Sequence, residues 1–149
     1  MLAKIDPART KVLRKGAFSG KSVLYWMCRD KRVDDNWALL AAQSVALNNK
    51  VPLIVCFQYL GHFPEANIRQ YGFQLKGLLE LKNKLEGLNI EFILSQGRAS
   101  EVIPRFIDDK SVGTIITDYS PLKVYKKRVS KVLSRTKIPF YQVDAHNII

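Results

Sequence analysis

Five short apolar runs, separated by stretches of helical periodicity, constrain this chain more than anything else in it. They cover residues 23–28, 53–57, 90–94, 113–117 and 139–143. The first is apolar at every position rather than at alternate ones, as in a strand covered on both faces. Pro52 suits the lead-in to the second run, not its middle. Between the runs the spacing predicts helices over 35–48, 66–86, 100–108 and 121–135. The first would bury Trp37, Leu40, Ala41, Ser44 and Leu47, the second Ile68, Tyr71, Leu75, Leu78, Leu79 and Leu85. The last would bury Leu122, Tyr125, Val129, Val132 and Leu133. Asp34 or Asp35 is placed to cap the first helix and Gly87 to end the second. Ser100 is placed to cap the third, whose Pro104 implies an irregular first turn. Ser120 followed by Pro121 reads as the N-cap and first residue of the fourth.

Strands alternating with helices imply an α/β fold, a doubly wound five-stranded parallel sheet with helices on both faces. Right-handed crossovers leave few topologies, and strand order 3-2-1-4-5 is the natural one. That order puts a switch point between the first and fourth strands, where ligands of open sheets bind at the carboxyl ends. The loops facing it are 28–34 and 118–121. Residues 1–21 read as a basic N-terminal arm, and 22–149 as one domain.

Charge is unevenly spread. The net charge is +11, but residues 1–33 hold nine Lys/Arg against two Asp/Glu, and residues 121–149 seven against one. Residues 34–120 hold eight against ten. Basic ends suit a polyanion such as DNA, and equally a solvated helix face. Cys28 and Cys56 form no CxxC and no metal-ligand cluster with His, so they read as reduced core thiols. No apolar run has the length of a membrane span, and the N-terminus lacks a signal-peptide core. A cytoplasmic protein is expected, or a nuclear one in a eukaryote.

Several chemistries lack their motifs. No G-x-G-x-x-G follows the first strand, and there is no Walker motif and no nucleophile elbow. His62 and His146 are far apart, and Trp26 and Trp37 read as core. No residue is nominated as catalytic or as a metal ligand. The switch-point loops nominate a binding site instead. Met27, Cys28, Phe57 and Tyr119 are its candidate walls, and Arg29, Asp30, Asp118 and Ser120 its candidate polar contacts. Asp118 beside Arg29 reads equally as a salt bridge bracing two loops or as a pair of ligand contacts.

The residues at these loops resemble a known family. Tyr25-Trp26-Met27-Cys28-Arg29-Asp30, Arg32 and Asp35-Asn36-Trp37-Ala38-Leu39-Leu40 are similar to the N-terminal α/β domain of class II DNA photolyases. So are Arg69-Gln70-Tyr71, Phe73-Gln74-Leu75-Lys76-Gly77-Leu78, Thr117-Asp118-Tyr119-Ser120-Pro121-Leu122 and Val143-Asp144-Ala145-His146-Asn147. The Asp6-Pro7-Ala8-Arg9 arm matches the family's lead-in. The similarity spans nearly the whole chain, in order. One departure is the fourth helix, where Tyr125-Lys126-Lys127-Arg128 stands in place of the family's usual tryptophan.

The resemblance implies a Rossmann-like fold and a light-harvesting antenna role in repair of cyclobutane pyrimidine dimers. The implied ligand is a deazaflavin or FMN. The catalytic FAD belongs to a helical domain, an expected partner that these residues do not include, so the chain alone is expected not to be catalytic. Weak non-specific DNA binding through the basic ends is a further expectation. Two other readings stay open. One is a stand-alone α/β ligand-binding protein sharing the domain. The other is a basic nucleic-acid or partner-binding module.

Overall fold

The computed structural model describes residues 7–28, 32–59 and 68–144, with side chains left out at 68–74. Arg29, Asp30 and Lys31 therefore lie outside the described residues, as do 60–67 and 145–149. After a 3-10 turn at Pro7–Arg9 the elements are β1 (Thr10–Arg14), β2 (Ser22–Met27), α1 (Trp37–Asn49), β3 (Leu53–Tyr59) and α2 (Ile68–Gly87). Then come β4 (Glu91–Gln96), α3 (Ala99–Lys110), β5 (Val112–Asp118), α4 (Lys123–Ser134) and β6 (Phe140–Val143).

The sheet runs β1-β6-β5-β2-β3-β4. The five apolar runs form its parallel part in the expected order, with β2 central between β3 and β5. The sheet is nevertheless six-stranded and mixed, because β1 adds to the β6 edge antiparallel. Thr10 pairs with Val143 and Lys11 with Gln142, and a bulge follows Val12. Thr-Lys-Val-Leu-Arg has no buried position, so no apolar signal marks it as a strand. Backbone pairing holds it: Asp144 N–H donates to Arg9 O at 2.8 Å. Arg14 adds a clamp, donating to Leu133 O at 2.9 Å and Thr136 O at 2.6 Å. A cation there suits the negative end of α4.

β2 is buried at all six positions. Val23, Tyr25 and Met27 face the layer of α1 and α2, while Leu24, Trp26 and then Cys28 face α3 and α4. Full burial of each large apolar side chain stabilises by roughly 1.5–3 kcal/mol, so this strand anchors both layers. Before it, a Cβ on Gly20 would lie 2.5 Å from Ser111 O and 2.6 Å from Gly113 N. Only a residue without a side chain lets the two backbones approach this closely.

Helix faces and ends depart from the expectations. α1 buries Ala38, Leu39, Ala41, Ala42, Val45 and Ala46, while Trp37, Leu40 and Leu47 are exposed. A helix apolar on every side leaves the choice of face to the sheet, and the small alanines allow the closest approach. Trp37 instead lies under the Arg9 guanidinium, 4.9 Å from its ring centre. The cap of α1 is Asn36, which accepts from Leu39 N–H at 3.0 Å, not Asp34 or Asp35. α2 buries Leu78, Leu81 and Leu85 and leaves Leu75 and Leu79 exposed. It runs through Gly87, and the left-handed residue that turns the chain is Asn89. α3 takes Arg98, not Ser100, at its N-cap, with no side-chain cap bond, and carries Pro104 inside. Pro104 lacks the N–H that would reach Ser100 O, and Arg135 donates to that carbonyl instead at 3.5 Å. α4 starts at Lys123, later than expected, and Leu122 is exposed. Among the described residues no helix is long and apolar enough to cross a membrane.

Candidate functional site

β2 and β5 are neighbours, so their carboxyl ends bring Cys28 and Asp118 together. Asp118 is a buried carboxylate, 2% exposed. Its Oδ1 accepts from Tyr25 O–H at 2.5 Å, and its Oδ2 accepts from Cys28 N–H at 2.9 Å. Asn36 Nδ2 donates to Tyr25 Oη at 3.0 Å and to Arg32 O at 3.0 Å. One network therefore grips the backbone on both sides of Arg29-Asp30-Lys31: at Cys28 before it and at Arg32 after it. Thr117 Oγ1 donates to Trp26 O at 2.8 Å and lies 3.5 Å from Cys28 Sγ. Such a network, once satisfied, costs nothing in stranded polar groups and fixes one geometry.

Burial raises the Tyr25 phenol well above its usual range, and the neighbouring Asp118 raises it further. Burial likewise pushes the Cys28 thiol up to about 12, with Asp118 adding to it, and the Cys56 thiol to about 11. Neither thiol is a nucleophile at neutral pH.

The sequence-nominated residues fall into distinct places. Met27 and Phe57 are register partners on β2 and β3, both buried under the α1 and α2 layer. Cys28 is buried against the α3 and α4 layer, on the opposite face. These three do not line one slot together. Ser120 is buried and its Oγ accepts from Leu122 N–H at 3.3 Å. Tyr119 lies elsewhere, in a groove between α4 and the β1–β6 edge with Lys11, Lys126 and Gln142. Arg29 and Asp30 lie outside the described residues. Tyr25 and Asn36 escaped the sequence reading as site residues. Both stand in the quoted motif segments, which was the available signal.

A second concavity, of about 280 Å³, opens between the start of α3 and α4, beside the carboxyl end of β3. Gln58, Arg98, Ser100, Lys127, Arg128 and Lys131 contribute to its wall. Among the described residues no group of three or more His, Cys, Asp or Glu side chains could hold a metal ion.

The deoxyribodipyrimidine photo-lyase of Arabidopsis thaliana is 38% identical over 97% of this chain and 31% of its own length. That of Potorous tridactylus is 46% identical over 87% of this chain and 25% of its own length. The chain thus spans about a quarter to a third of the curated relatives it matches. A class III photolyase from Agrobacterium tumefaciens superposes with a TM-score of 0.68 at 20% identity, over 87% of this chain and 27% of that one. The sequence profile of DNA photolyases matches residues 23–149, and the chain belongs to the DNA photolyase family.

Proposed function

We propose that this chain is the antenna-type N-terminal domain of a class II DNA photolyase, holding a deazaflavin or FMN beside the loop after β2. The observation that carries the reading is the clamp around Arg29-Asp30-Lys31. Tyr25, Cys28, Arg32, Asn36 and Asp118 all belong to the segments that resemble the class, and one hydrogen-bond network joins them. A ligand site needs polar groups presented by a rigid support. Arg29, Asp30 and Ser120 would touch the chromophore. Asp118 would act through the loop as a positioning residue, since Tyr25 and Cys28 occupy its two oxygens. The chromophore, when bound, supplies light absorption and passes excitation to FAD in a helical partner domain. This chain's residues would bind and orient it.

Titration of the chain with FMN and with a deazaflavin, followed by absorbance and fluorescence, tests the proposal. Arg29→Gln should weaken binding at least tenfold with an unchanged circular dichroism spectrum. Unaltered affinity would place the ligand elsewhere. The same chain given FAD and light should leave pyrimidine dimers intact, and measurable turnover would refute the division of labour.

Exposed Lys123, Lys126, Lys127 and Lys131 on α4 also favour weak, sequence-independent DNA contact. Such binding works by counterion release, so it should fall steeply with salt and treat damaged and undamaged duplex alike.

A further inference from the structure

We infer that the groove between α3 and α4 is a binding site for a small phosphorylated sugar, with the phosphate at the N-terminus of α3 and a sugar hydroxyl on Gln58. Four cations, Arg98, Lys127, Arg128 and Lys131, contribute to its wall, and no Asp or Glu lines it. α3 is 12 residues long and has no side-chain cap bond. Its first N–H groups and its dipole therefore point to an anion. The nearest acid in sequence is Glu101, in the first turn of α3, which favours the same dipole and works against an anion.

Gln58 supplies the independent observation. It is 5% exposed, it lines the groove, and its Oε1 has no hydrogen-bond partner among the described residues. Its amide cannot simply turn over. Nε2 donates to the carbonyl of Gly97. That carbonyl is held by a glycine at φ +128°, whose N–H donates to Tyr59 O at 2.7 Å. The unpartnered atom is thus an acceptor, and a buried acceptor left without a donor is costly. A bare anion satisfies the cations and leaves Gln58 unanswered. A neutral sugar does the reverse. A sugar phosphate answers both at once. The volume, about 280 Å³, sits at the lower bound of small-molecule sites and excludes a dinucleotide lying wholly inside. No residue of this site belongs to the Asp118 clamp, so it stands or falls apart from the chromophore assignment.

The test is titration of the 149-residue chain with ribose 5-phosphate, inorganic phosphate and ribose at equal ionic strength, followed by amide NMR shifts. Ribose 5-phosphate should shift Ala99 and Ser100 and bind at least tenfold more tightly than inorganic phosphate, and ribose should not bind. Lys127→Ala with Lys131→Ala, both exposed positions that leave the fold intact, should weaken ribose 5-phosphate at least tenfold. Gln58→Leu should erase the preference over inorganic phosphate while leaving phosphate binding in place. Equal affinity for the two phosphates in the wild-type chain overturns the proposal. So does the absence of shifts at the start of α3. Shifts there with a short DNA duplex but not with ribose 5-phosphate would assign the groove to nucleic-acid backbone and also overturn it.

Discussion

The clamp at the ends of β2 and β5 and the groove between α3 and α4 differ in how their polar groups are satisfied. Around Asp118 both carboxylate oxygens, the Tyr25 hydroxyl and both ends of the Asn36 side chain have partners inside the chain. In the groove, cations gather without a lining acid and one buried oxygen lacks a partner among the described residues. A closed set of hydrogen bonds builds a support, whereas an open set waits for a ligand. The two regions lie at the same edge of one sheet, yet one pairs its polar groups within the chain and the other gathers cations without a lining carboxylate.

Breaking the support should produce the largest loss of stability. Asp118→Ala strands two buried donors at about 1–3 kcal/mol each, which lowers the melting temperature by about 10 °C. Circular dichroism melting reads this directly, and a shift near zero would mean that the bonds are not formed. Asn36→Ala removes the α1 cap and the donor to Tyr25, and should cost about 1–2 kcal/mol by urea denaturation. Asn36→Asp keeps the cap acceptor but places a second carboxylate near Asp118, and should not rescue it fully.

Alkaline pH loosens the same end of the sheet. Cys28 and Cys56 are pushed up to about 12 and about 11 from 9.0, so the folded chain holds their protons longer than the unfolded one. The stability this gives is complete below about pH 9 and is lost as pH rises from there toward the folded values. Urea midpoints should therefore be flat from pH 7 to 8 and fall between pH 9 and 10.5. Cys28→Ala should flatten part of that fall. In the native chain at pH 8, both thiols should react with a disulfide reagent far more slowly than after unfolding. The smallest stability effect belongs to the groove: Lys127→Ala and Lys131→Ala should stay within about 0.5 kcal/mol of wild type.

How much of this was visible in sequence depends on what each element buries. Four of the five parallel strands were legible because both of their faces are covered, and a fully apolar run such as 23–28 has few other uses, whereas β4 at the sheet edge buries only Phe92. Their order followed from the right-handedness of the crossovers. β1 was not legible, since no position in it is buried and its support is backbone pairing with β6. The face of α1 was misjudged because Trp-Ala-Leu-Leu-Ala-Ala carries no polar side to set its orientation, and packing chose the alanines over Trp37 and Leu40. Asp118 was legible as an important residue but not as a fully engaged one, because its partners lie 93 and 90 positions away at Tyr25 and Cys28. The groove left no motif. Gln58, Arg98 and Lys127 become neighbours only through the crossing of three elements.

Separating the two regions by function tests the account most directly. Asp118→Ala and the Lys127→Ala, Lys131→Ala pair would each be titrated with FMN and with ribose 5-phosphate at a low temperature, about 10 °C, once circular dichroism has verified that each is folded. The expected result is a crossed loss: the Asp118 variant loses FMN at least tenfold and keeps ribose 5-phosphate, and the lysine variant does the opposite. A lysine variant that loses FMN as strongly as the Asp118 variant does, or an Asp118 variant that binds FMN like wild type, would contradict the assignment of support to one region and of ligand charge to the other.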